Sequence, residues 1–322
     1  MSITRRRLIA TGATALAAGI AGVWYLRRGA RAASAPMRPA MGPPPADRDG
    51  ACVLYAVGDA GYPNAIRANV VTALLQHARV RPPNVCLFLG DNFYEHGIGS
   101  VDDARWQEEI ELPFASLDPA VPLYAILGNH DYQGSIQAQI DYTARGSRWR
   151  MPAANWTLER PLRDGSTVEL FALDTTPIRL GFGHGDDQLQ WLEERLMRSR
   201  ARWKLVLGHH PILSYGAHGP CDGLGATLDP LFERCGVHAY LSGHEHDLQL
   251  VRSAAGWVQI ISGAGSAPRT TGRGPATEFA SDDPGFACLI ADVDGLWIEF
   301  IGATPAVEAR APLDVVCGVR RA

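Results

Sequence analysis

Five polar segments stand out because each directly follows a short apolar run and carries side chains that can bind metal ions. The segments are Gly58–Gly61, Gly90–Tyr94, Gly128–Asp131, Gly208–Pro211 and Gly243–His246. They supply seven candidate ligands, namely Asp59, Asp91, Tyr94, Asn129, His209, His244 and His246. Mixed oxygen and imidazole donors suit a first-row transition metal. Because a carboxylate can bridge two ions, the set predicts a metal pair about 3.5–4 Å apart that activates water.

The apolar runs before these segments predict buried strands, since they are short and rich in β-prone residues. They cover Ala51–Val57, Val85–Leu89, Val121–Leu127, Trp203–Leu207 and Val237–Ser242. Helical periodicity follows at Ala65–Ala78, Asp102–Leu112, Asp186–Met197 and Leu224–Cys235. Alternating strands and helices indicate an α/β domain, in which ligands bind beyond the carboxyl ends of the strands. We therefore expect the five polar segments to meet in one cleft.

The pattern after His246 changes to strands alone. These are predicted at Leu248–Ser253, Trp257–Ser262, Phe286–Val293 and Leu296–Ile301. They indicate a second sheet in the same domain, which we expect to cover residues 51–322. The glycine-rich stretch Gly263–Gly285 predicts a long loop over the cleft.

The first 50 residues are expected to lie outside this domain. In residues 1–35, three arginines (5–7) precede the apolar run Leu8–Leu26, and small residues close the segment, as in an export signal. Thr4–Ile9 resembles a twin-arginine signal, which implies the twin-arginine translocase as partner and a periplasmic or extracellular location. The alternative is an uncleaved anchor, because these 19 apolar residues can just span a bilayer. Residues 36–50 hold five prolines and predict a stiff linker.

The composition describes an acidic globular protein. Of 322 residues, 46% are apolar and 20% charged, which excludes global disorder. The first 35 residues hold six of the 30 basic residues and no acidic one, so 24 basic residues remain against 34 acidic ones, a net charge near −10. This charge argues against nucleic acid as a partner.

The six cysteines form no CxxC pair, which excludes zinc-ribbon and thioredoxin-like sites. Cys52 and Cys86 lie in predicted strands and are expected to be buried thiols. Cys221 with Cys235 is the first candidate for a disulfide, since an oxidising compartment would permit one.

The five segments, taken in order, resemble the motifs of the purple acid phosphatases, GDxG, GDxxY, GNH, VxxH and GHxH. Length and spacing are similar to the small, tartrate-resistant type within the calcineurin-like metallophosphoesterase superfamily. The resemblance covers roughly Ala51–Ile301 and implies a four-layer αββα sandwich of two mixed sheets flanked by helices. Most members of the superfamily carry DxH as the first motif, whereas Gly61 stands in place of that histidine here. Tyr94 is available to replace it.

The resemblance divides the ligands between two metal ions. The first ion, Fe(III), would be held by Asp59, Asp91, Tyr94 and His246. The second, a divalent Fe, Zn or Mn ion, would be held by Asp91, Asn129, His209 and His244. Three anionic oxygens on one side suit a trivalent ion, while one shared carboxylate, an amide and two imidazoles suit a divalent one.

The implied reaction is hydrolysis of a small-molecule phosphate monoester by a metal-bound hydroxide, at acidic to neutral pH. His130 and His218 match the family's outer histidines, which bind the phosphate, and one of them would protonate the leaving alkoxide as general acid. A protonated imidazole favours activity below neutral pH. His210 and His96 are further candidates for contact with substrate.

Three residues near the candidate ligands are not expected to contact metal or substrate. Asn92 and Asp131 are expected to hold the ligand loops from behind, and Glu245 is expected to point away from the site.

Two alternative functions stay open. One is an exported phosphodiesterase or nucleotidase of the same superfamily with another metal pair, against which Tyr94 argues. The other is a non-catalytic surface protein that binds metal or phosphate, against which the complete ligand set argues.

Overall fold

The structure is a computed structural model that describes residues 50–303 and the backbone of 317–319. The predicted export segment 1–35 and residues 36–49 of the predicted linker lie outside the described residues. Within the described part of the chain, no helix combines the length and the apolar character needed to cross a membrane.

The first sheet contains the strands that precede three of the five polar segments. Its members are β1 (Cys52–Val57), β2 (Val85–Phe88), β3 (Leu123–Ala125), β4 (Trp149–Arg150), β12 (Gly285–Ala291), β13 (Leu296–Gly302) and β14 (Cys317–Val319). Their order is β14-β13-β12-β1-β2-β3-β4. Strands β1 to β4 are parallel, whereas β12 pairs antiparallel with β1, so the sheet is mixed.

The second sheet contains the strands that precede the other two segments. Its members are β5 (Trp156–Pro161), β6 (Thr167–Ala172), β7 (Trp203–Leu207), β8 (Ala239–Ser242), β9 (Leu248–Arg252), β10 (Val258–Ser262) and β11 (Thr277–Ser281). Their order is β11-β9-β10-β8-β7-β6-β5. Strands β6, β7, β8 and β10 are parallel, and β5 and β9 are antiparallel to their neighbours.

Helices cover the outer faces of the two sheets. They are α1 (Ala65–Val80), α2 (Ile136–Asp141), α3 (Thr175–Leu180), α4 (Gly185–Arg198) and α5 (Asp222–Cys235), with a π-helix at Trp106–Glu111 and 3₁₀ turns at Asp131–Gln133 and Tyr142–Arg145. The side chain of Asn64 caps α1 by accepting from the backbone N–H of Arg67. Asp186 and Asp187 lie in the first turn of α4, where the helix dipole favours negative charge.

Three apolar cores separate four layers. The alternation of side chains along β1 sends Leu54 into the core between the sheets and Tyr55 into the core beneath α1 and the π-helix. A third core packs Leu192 of α4 and Leu228 of α5 against the outer face of the second sheet. The predicted four-layer αββα sandwich is confirmed.

The strands that sequence patterns missed are β4, β5, β6, β11 and β14. The exposed faces of β5 and β6 carry charged residues, which obscures their apolar faces. A detectable signal was present, since Asp164-Gly165 is a typical hairpin turn between two strands. Strand β11 lies inside the stretch predicted as one long loop.

Two other predictions are wrong. The helix expected at Asp102–Leu112 is a π-helix confined to Trp106–Glu111. The thiols of Cys221 and Cys235 are free. Helix α5 separates them, since Cys221 caps its start and Cys235 ends it, and a helix of this length spans roughly 20 Å. Cys52 and Cys86 are buried thiols, as predicted.

Candidate dinuclear metal site

The five polar segments follow β1, β2 and β3 of the first sheet and β7 and β8 of the second, and their side chains meet at the seam between the sheets. Three of the candidate ligands, Asp59, Asp91 and His244, have φ angles of 54°, 51° and 67°. Residues other than glycine rarely adopt this left-handed conformation, and those that do concentrate at functional sites.

The left-handed turns are held by hydrogen bonds between the loops. Asp59 Oδ2 accepts from the backbone N–H of His244 at 2.8 Å, and Asp91 Oδ1 accepts from that of His130 at 2.8 Å. Each carboxylate thereby keeps its other oxygen for the cleft.

One group of donors surrounds the hydroxyl of Tyr94. The phenol oxygen lies 2.8 Å from Asp91 Oδ2, 3.0 Å from Asp59 Oδ1 and 3.2 Å from His246 Nε2. His246 Nε2 is also 3.4 Å from Asp59 Oδ1. These four residues are the set expected to hold the first ion.

A second group surrounds Nε2 of His209. This nitrogen lies 3.2 Å from Asn129 Oδ1 and 3.4 Å from Asp91 Oδ2, and the His209 ring packs 5.2 Å from that of His244. Asp91 Oδ2 belongs to both groups, which is the position of a bridging carboxylate. One ligand atom from each of Asp59, Asp91 and His209 lies within 4.8 Å of the others.

Two ligand imidazoles are oriented by backbone carbonyls behind them. Nδ1 of His209 contacts the Leu89 carbonyl oxygen at 2.8 Å, and Nδ1 of His246 contacts that of Ala267 at 2.8 Å. A carbonyl only accepts, so each Nδ1 carries a hydrogen and each Nε2 faces the cleft. Metal-binding histidines are commonly fixed in this way.

The buried carboxylates of the cluster create a site that favours positive charge. Burial raises the pKa of Tyr94, and the negative charges of Asp59 and Asp91 raise it much further. Burial opposes ionisation of Asp91, but His209 and His130 outweigh it, so the pKa of Asp91 falls well below its ordinary value. Burial disfavours charge on His209, yet Asp91 raises its pKa to about 10. A bound metal ion would supply the positive charge that a proton on His209 otherwise provides.

His130 and His218, the predicted outer histidines, lie on opposite flanks of the ligands. The His130 ring packs edge-on against Tyr94 at 4.6 Å, with Nδ1 2.8 Å from the Glu95 carbonyl oxygen. The His218 ring stacks on His244 at 4.5 Å, and 40% of its side chain is exposed. Both imidazoles thus touch side chains of candidate ligands while remaining open to solvent.

Glu245 is the residue beside the candidate ligands whose direction was predicted wrongly. Its carboxylate is buried and directed at His218, from which it accepts the backbone N–H at 2.9 Å and faces Nδ1 at 3.4 Å. Ser214 donates to the same carboxylate at 3.0 Å. The expectation that Glu245 points away is wrong, because the turn between His244 and His246 directs the intervening side chain along the cleft wall.

The two remaining substrate-contact candidates occupy different surroundings. His210 is buried behind the ligands, with Nδ1 2.8 Å from Thr175 Oγ1 and its ring 4.6 Å from that of His244. His96 is exposed and lies 2.9 Å from Gln133 Oε1. Contact of either residue with substrate stays a prediction, and the burial of His210 favours support of His244 instead.

Asn92 and Asp131 form a buried network behind the ligand loops. Asp131 Oδ2 accepts from the backbone N–H of Gly128 at 2.8 Å, and its Oδ1 accepts from Gln139 Nε2 at 2.8 Å. The Asn92 side chain donates to the Ile126 carbonyl at 2.8 Å. The network joins the loops after β2 and β3.

Comparisons with known proteins agree with this geometry. A family model described as calcineurin-like phosphoesterase matches residues 54–248. Tartrate-resistant acid phosphatase type 5 of Homo sapiens is 34% identical over 238 residues, which cover 66% of this chain and 72% of the relative. Purple acid phosphatase 17 of Arabidopsis thaliana is 31% identical over 244 residues, covering 69% and 70%.

Among solved structures, Plasmodium GAP50, described as the anchor in the inner membrane complex, has the same fold. It aligns with a TM-score of 0.73 at 20% identity and covers 83% of this chain and 89% of its own. The family predicted from the five motifs is therefore confirmed by the matched domain and by relatives that are more than 30% identical. The chain belongs to the calcineurin-like phosphoesterases and, within them, to the tartrate-resistant and purple acid phosphatases.

Proposed function

We propose that the protein hydrolyses phosphate monoesters at an Fe(III)–M(II) centre, with its greatest activity at acidic to neutral pH. The observation that supports this most is the place of Asp91 Oδ2, which lies 2.8 Å from the Tyr94 phenol and 3.4 Å from His209 Nε2. One buried carboxylate thus joins two donor groups of different charge. The anionic group suits a trivalent ion and the imidazole and amide group a divalent Fe, Zn or Mn ion.

The donor atoms present fit such a pair. When bound, the two ions would supply the Lewis acidity that makes water nucleophilic and neutralises the phosphoryl oxygens. Asp59, Asp91, Tyr94 and His246 would hold the first ion. The second would be held by Asp91, Asn129, His209 and His244. These side chains lie in loops that follow strands of both sheets.

His130 and His218 handle the substrate and its proton in this proposal. His218 has its Nδ1 directed to Glu245, so Nε2 is the nitrogen available to protonate the leaving alkoxide. His130 has its Nδ1 on the Glu95 carbonyl, which leaves its own Nε2 for a phosphoryl oxygen. An imidazole must be protonated to act as an acid, which favours activity below neutral pH.

Metal analysis combined with an absorption spectrum and a phosphatase assay tests the proposal. We expect two metal ions per chain, a visible charge-transfer band from the Tyr94 phenolate on iron, and hydrolysis of phenyl phosphate that chelation abolishes. Hydrolysis of bis(4-nitrophenyl) phosphate by a colourless protein would favour the phosphodiesterase alternative. No hydrolysis of either ester at any pH with two metals bound would favour a binding protein.

We further propose that the chain is exported by the twin-arginine route. The support is the sequence Thr4–Ile9 and the fold, since a domain that bound its metal pair in the cytoplasm would have to be exported already folded. Replacing Arg5, Arg6 and Arg7 by Lys should leave the protein in the cytoplasm with its metals bound. Normal export of that variant would contradict the route.

A further inference from the structure

Arg269 lies at the exposed rim of the cleft, in the loop after β10. Its backbone N–H donates to the His246 carbonyl at 2.7 Å, and His246 Nδ1 contacts the Ala267 carbonyl at 2.8 Å. The hydroxyl of Ser266 donates to the carbonyl of Asp59. These hydrogen bonds hold the loop that carries Arg269 against two candidate ligands, Asp59 and His246.

The guanidinium of Arg269 lies beside His218. Its Nη1 is 3.1 Å from His218 Nε2. A guanidinium only donates, so in the structure it donates to His218 Nε2, while Nδ1 faces Glu245 at 3.4 Å. Proton transfer from Nε2 to the leaving oxygen requires this contact to be exchanged for one to the substrate. Because Nε2 is the nitrogen expected to face the leaving-group oxygen, Arg269 lies next to the alcohol part of a bound substrate. The transferred phosphoryl group would lie deeper, among the ligands.

Among the described residues, several arginines are neutralised by ion pairs with carboxylates away from the cleft. They are Arg81, Arg105, Arg145, Arg163, Arg202, Arg234 and Arg252. Within residues 50–303, no carboxylate pairs with Arg269, and His218 takes one of its five N–H donors. The hydrogen bond to Glu95 raises the pKa of Tyr62, whereas the positive charge of Arg269 lowers it. The charge of Arg269 is therefore also felt on the Tyr62 side of the cleft.

On the basis of the proposed function, we propose that Arg269 binds a negatively charged group on the leaving alcohol. The enzyme then prefers phosphate monoesters whose alcohol carries a carboxylate or a second phosphate. The planar guanidinium matches the two oxygens of either group in a bidentate pair. Arg269 is thus a specificity residue for the leaving group.

Paired substrates of equal shape test this. The metal-loaded enzyme is assayed with 3-carboxyphenyl phosphate and with 3-carbamoylphenyl phosphate, which replaces the carboxylate by a neutral amide. We expect kcat/KM of the wild type to favour the carboxylate about tenfold, as a hydrogen bond to a charged group supports. Arg269→Gln should remove this preference, so that the ratio of kcat/KM for the two esters falls to about one. Arg269→Lys, which keeps the charge, should retain part of it.

Arg234→Gln is the matched control, since this arginine pairs with Glu193 on the surface of α5. It should keep the wild-type preference. Equal loss with both esters in Arg269→Gln would place the guanidinium on the transferred phosphoryl group and overturn the inference. A wild type that hydrolyses both esters without charge preference would also overturn it, while the proposed function stands. Hydrolysis of neither ester would overturn the proposed function and this inference together.

Discussion

Tyr94 shares its hydroxyl with two carboxylates and one imidazole, so its proton opposes metal binding. Burial and the charges of Asp59 and Asp91 raise its pKa, which means that a metal ion must displace the proton. We expect Tyr94→Phe to bind iron without the visible charge-transfer band and to release fewer protons on binding. Absorption spectra and pH-stat titration measure both effects.

Tyr62→Phe is the control for this substitution. The Tyr62 ring stacks on Tyr94 at 4.1 Å, and its hydroxyl donates to Glu95 at 2.7 Å, away from the donor groups. This variant should keep the colour. A Tyr94→Phe protein with the wild-type spectrum would show that the phenol is not a ligand.

His218 is expected to act on the substrate without holding metal. His218→Ala should lower kcat by about 10²–10⁴, the usual contribution of a general acid, while both metal ions remain bound. Turnover and metal content are measured on the same preparation. His184→Ala, at an exposed histidine that pairs with Asp187, should change neither quantity. Loss of metal from His218→Ala would make His218 a ligand instead.

The residue types of the site could be predicted from sequence, but the directions of some side chains could not. Asp59, Asp91 and Tyr94 follow predicted strands, so the topology alone brings them together. Glu245 and Arg269 depend on the course of a turn and a loop. No periodicity encodes that course, so the contacts of both residues with His218 became evident only in the structure.

At the scale of elements, the turn after β3 leaves no space for a side chain at Gly128. A Cβ there would lie 2.9 Å from Cγ of Asp91. Gly128→Ala should therefore displace Asp91, the proposed bridging carboxylate, and reduce the metal content below two ions per chain. Metal analysis of the purified variant measures this.

Gly223→Ala is the matched control for that change. Gly223 lies in the first turn of α5, where a Cβ meets nothing within 4 Å. The substitution should keep both metals and raise the free energy of unfolding by about 0.5–1 kcal/mol, because alanine favours a helix. Full metal content in Gly128→Ala would contradict the predicted crowding.

The π-helix carries a buried carboxylate whose titration should be visible in stability. Burial raises the pKa of Glu109 from 4.5 to about 7, against the opposing charge of Arg67. The folded state then holds this proton more tightly than the unfolded state. The stabilisation is complete below pH 4.5 and is lost as the pH rises through 7, by at most about 3 kcal/mol.

Glu109→Gln should remove this pH dependence. The free energy of unfolding of the wild type should fall relative to that of the variant between pH 4.5 and 7.5, as measured by urea denaturation. Glu233→Gln, at an exposed position of α5, is the control and should leave the slope of the wild type in place. Parallel curves for wild type and Glu109→Gln would contradict the raised pKa.

The strong periodic elements were predictable, and the irregular ones were not. Helix α1 and strand β7 match their predicted cores because apolar residues recur at the helical and buried-strand spacing. The π-helix has the apolar pattern of an ordinary helix, so the sequence does not reveal the extra residue per turn. The ends of α5 show the same limit, since Cys221 and Cys235 were predicted as a candidate disulfide but lie at opposite ends of the helix.

At the scale of the whole molecule, the candidate site joins the two sheets. Asp59, Asp91 and Asn129 follow strands of the first sheet, whereas His209 and His244 follow strands of the second. The sequence predicted two sheets but assigned several strands wrongly, since β7 and β8 lie in the second sheet and β12 and β13 in the first. The division of the candidate ligands between the sheets was therefore not predicted. Direct protein contacts also cross this seam, since Ser262 Oγ donates to the Ala56 carbonyl at 2.7 Å.

Metal removal should therefore destabilise the entire domain. A ligand present at 100 times its dissociation constant stabilises the folded state by about 2.7 kcal/mol, which for a domain of this size raises Tm by about 5–10 °C. The candidate ligands come from both sheets, so loss of the metals should weaken both sheets together. The metal-free protein should therefore unfold at a lower temperature and in a single transition. Scanning calorimetry before and after chelation and reloading measures the shift. The double variant His209→Ala, His246→Ala lacks one proposed ligand of each ion, so its Tm should not change on chelation and reloading. Equal Tm values for the metal-free and the loaded wild type would mean that the metals do not hold the sheets together.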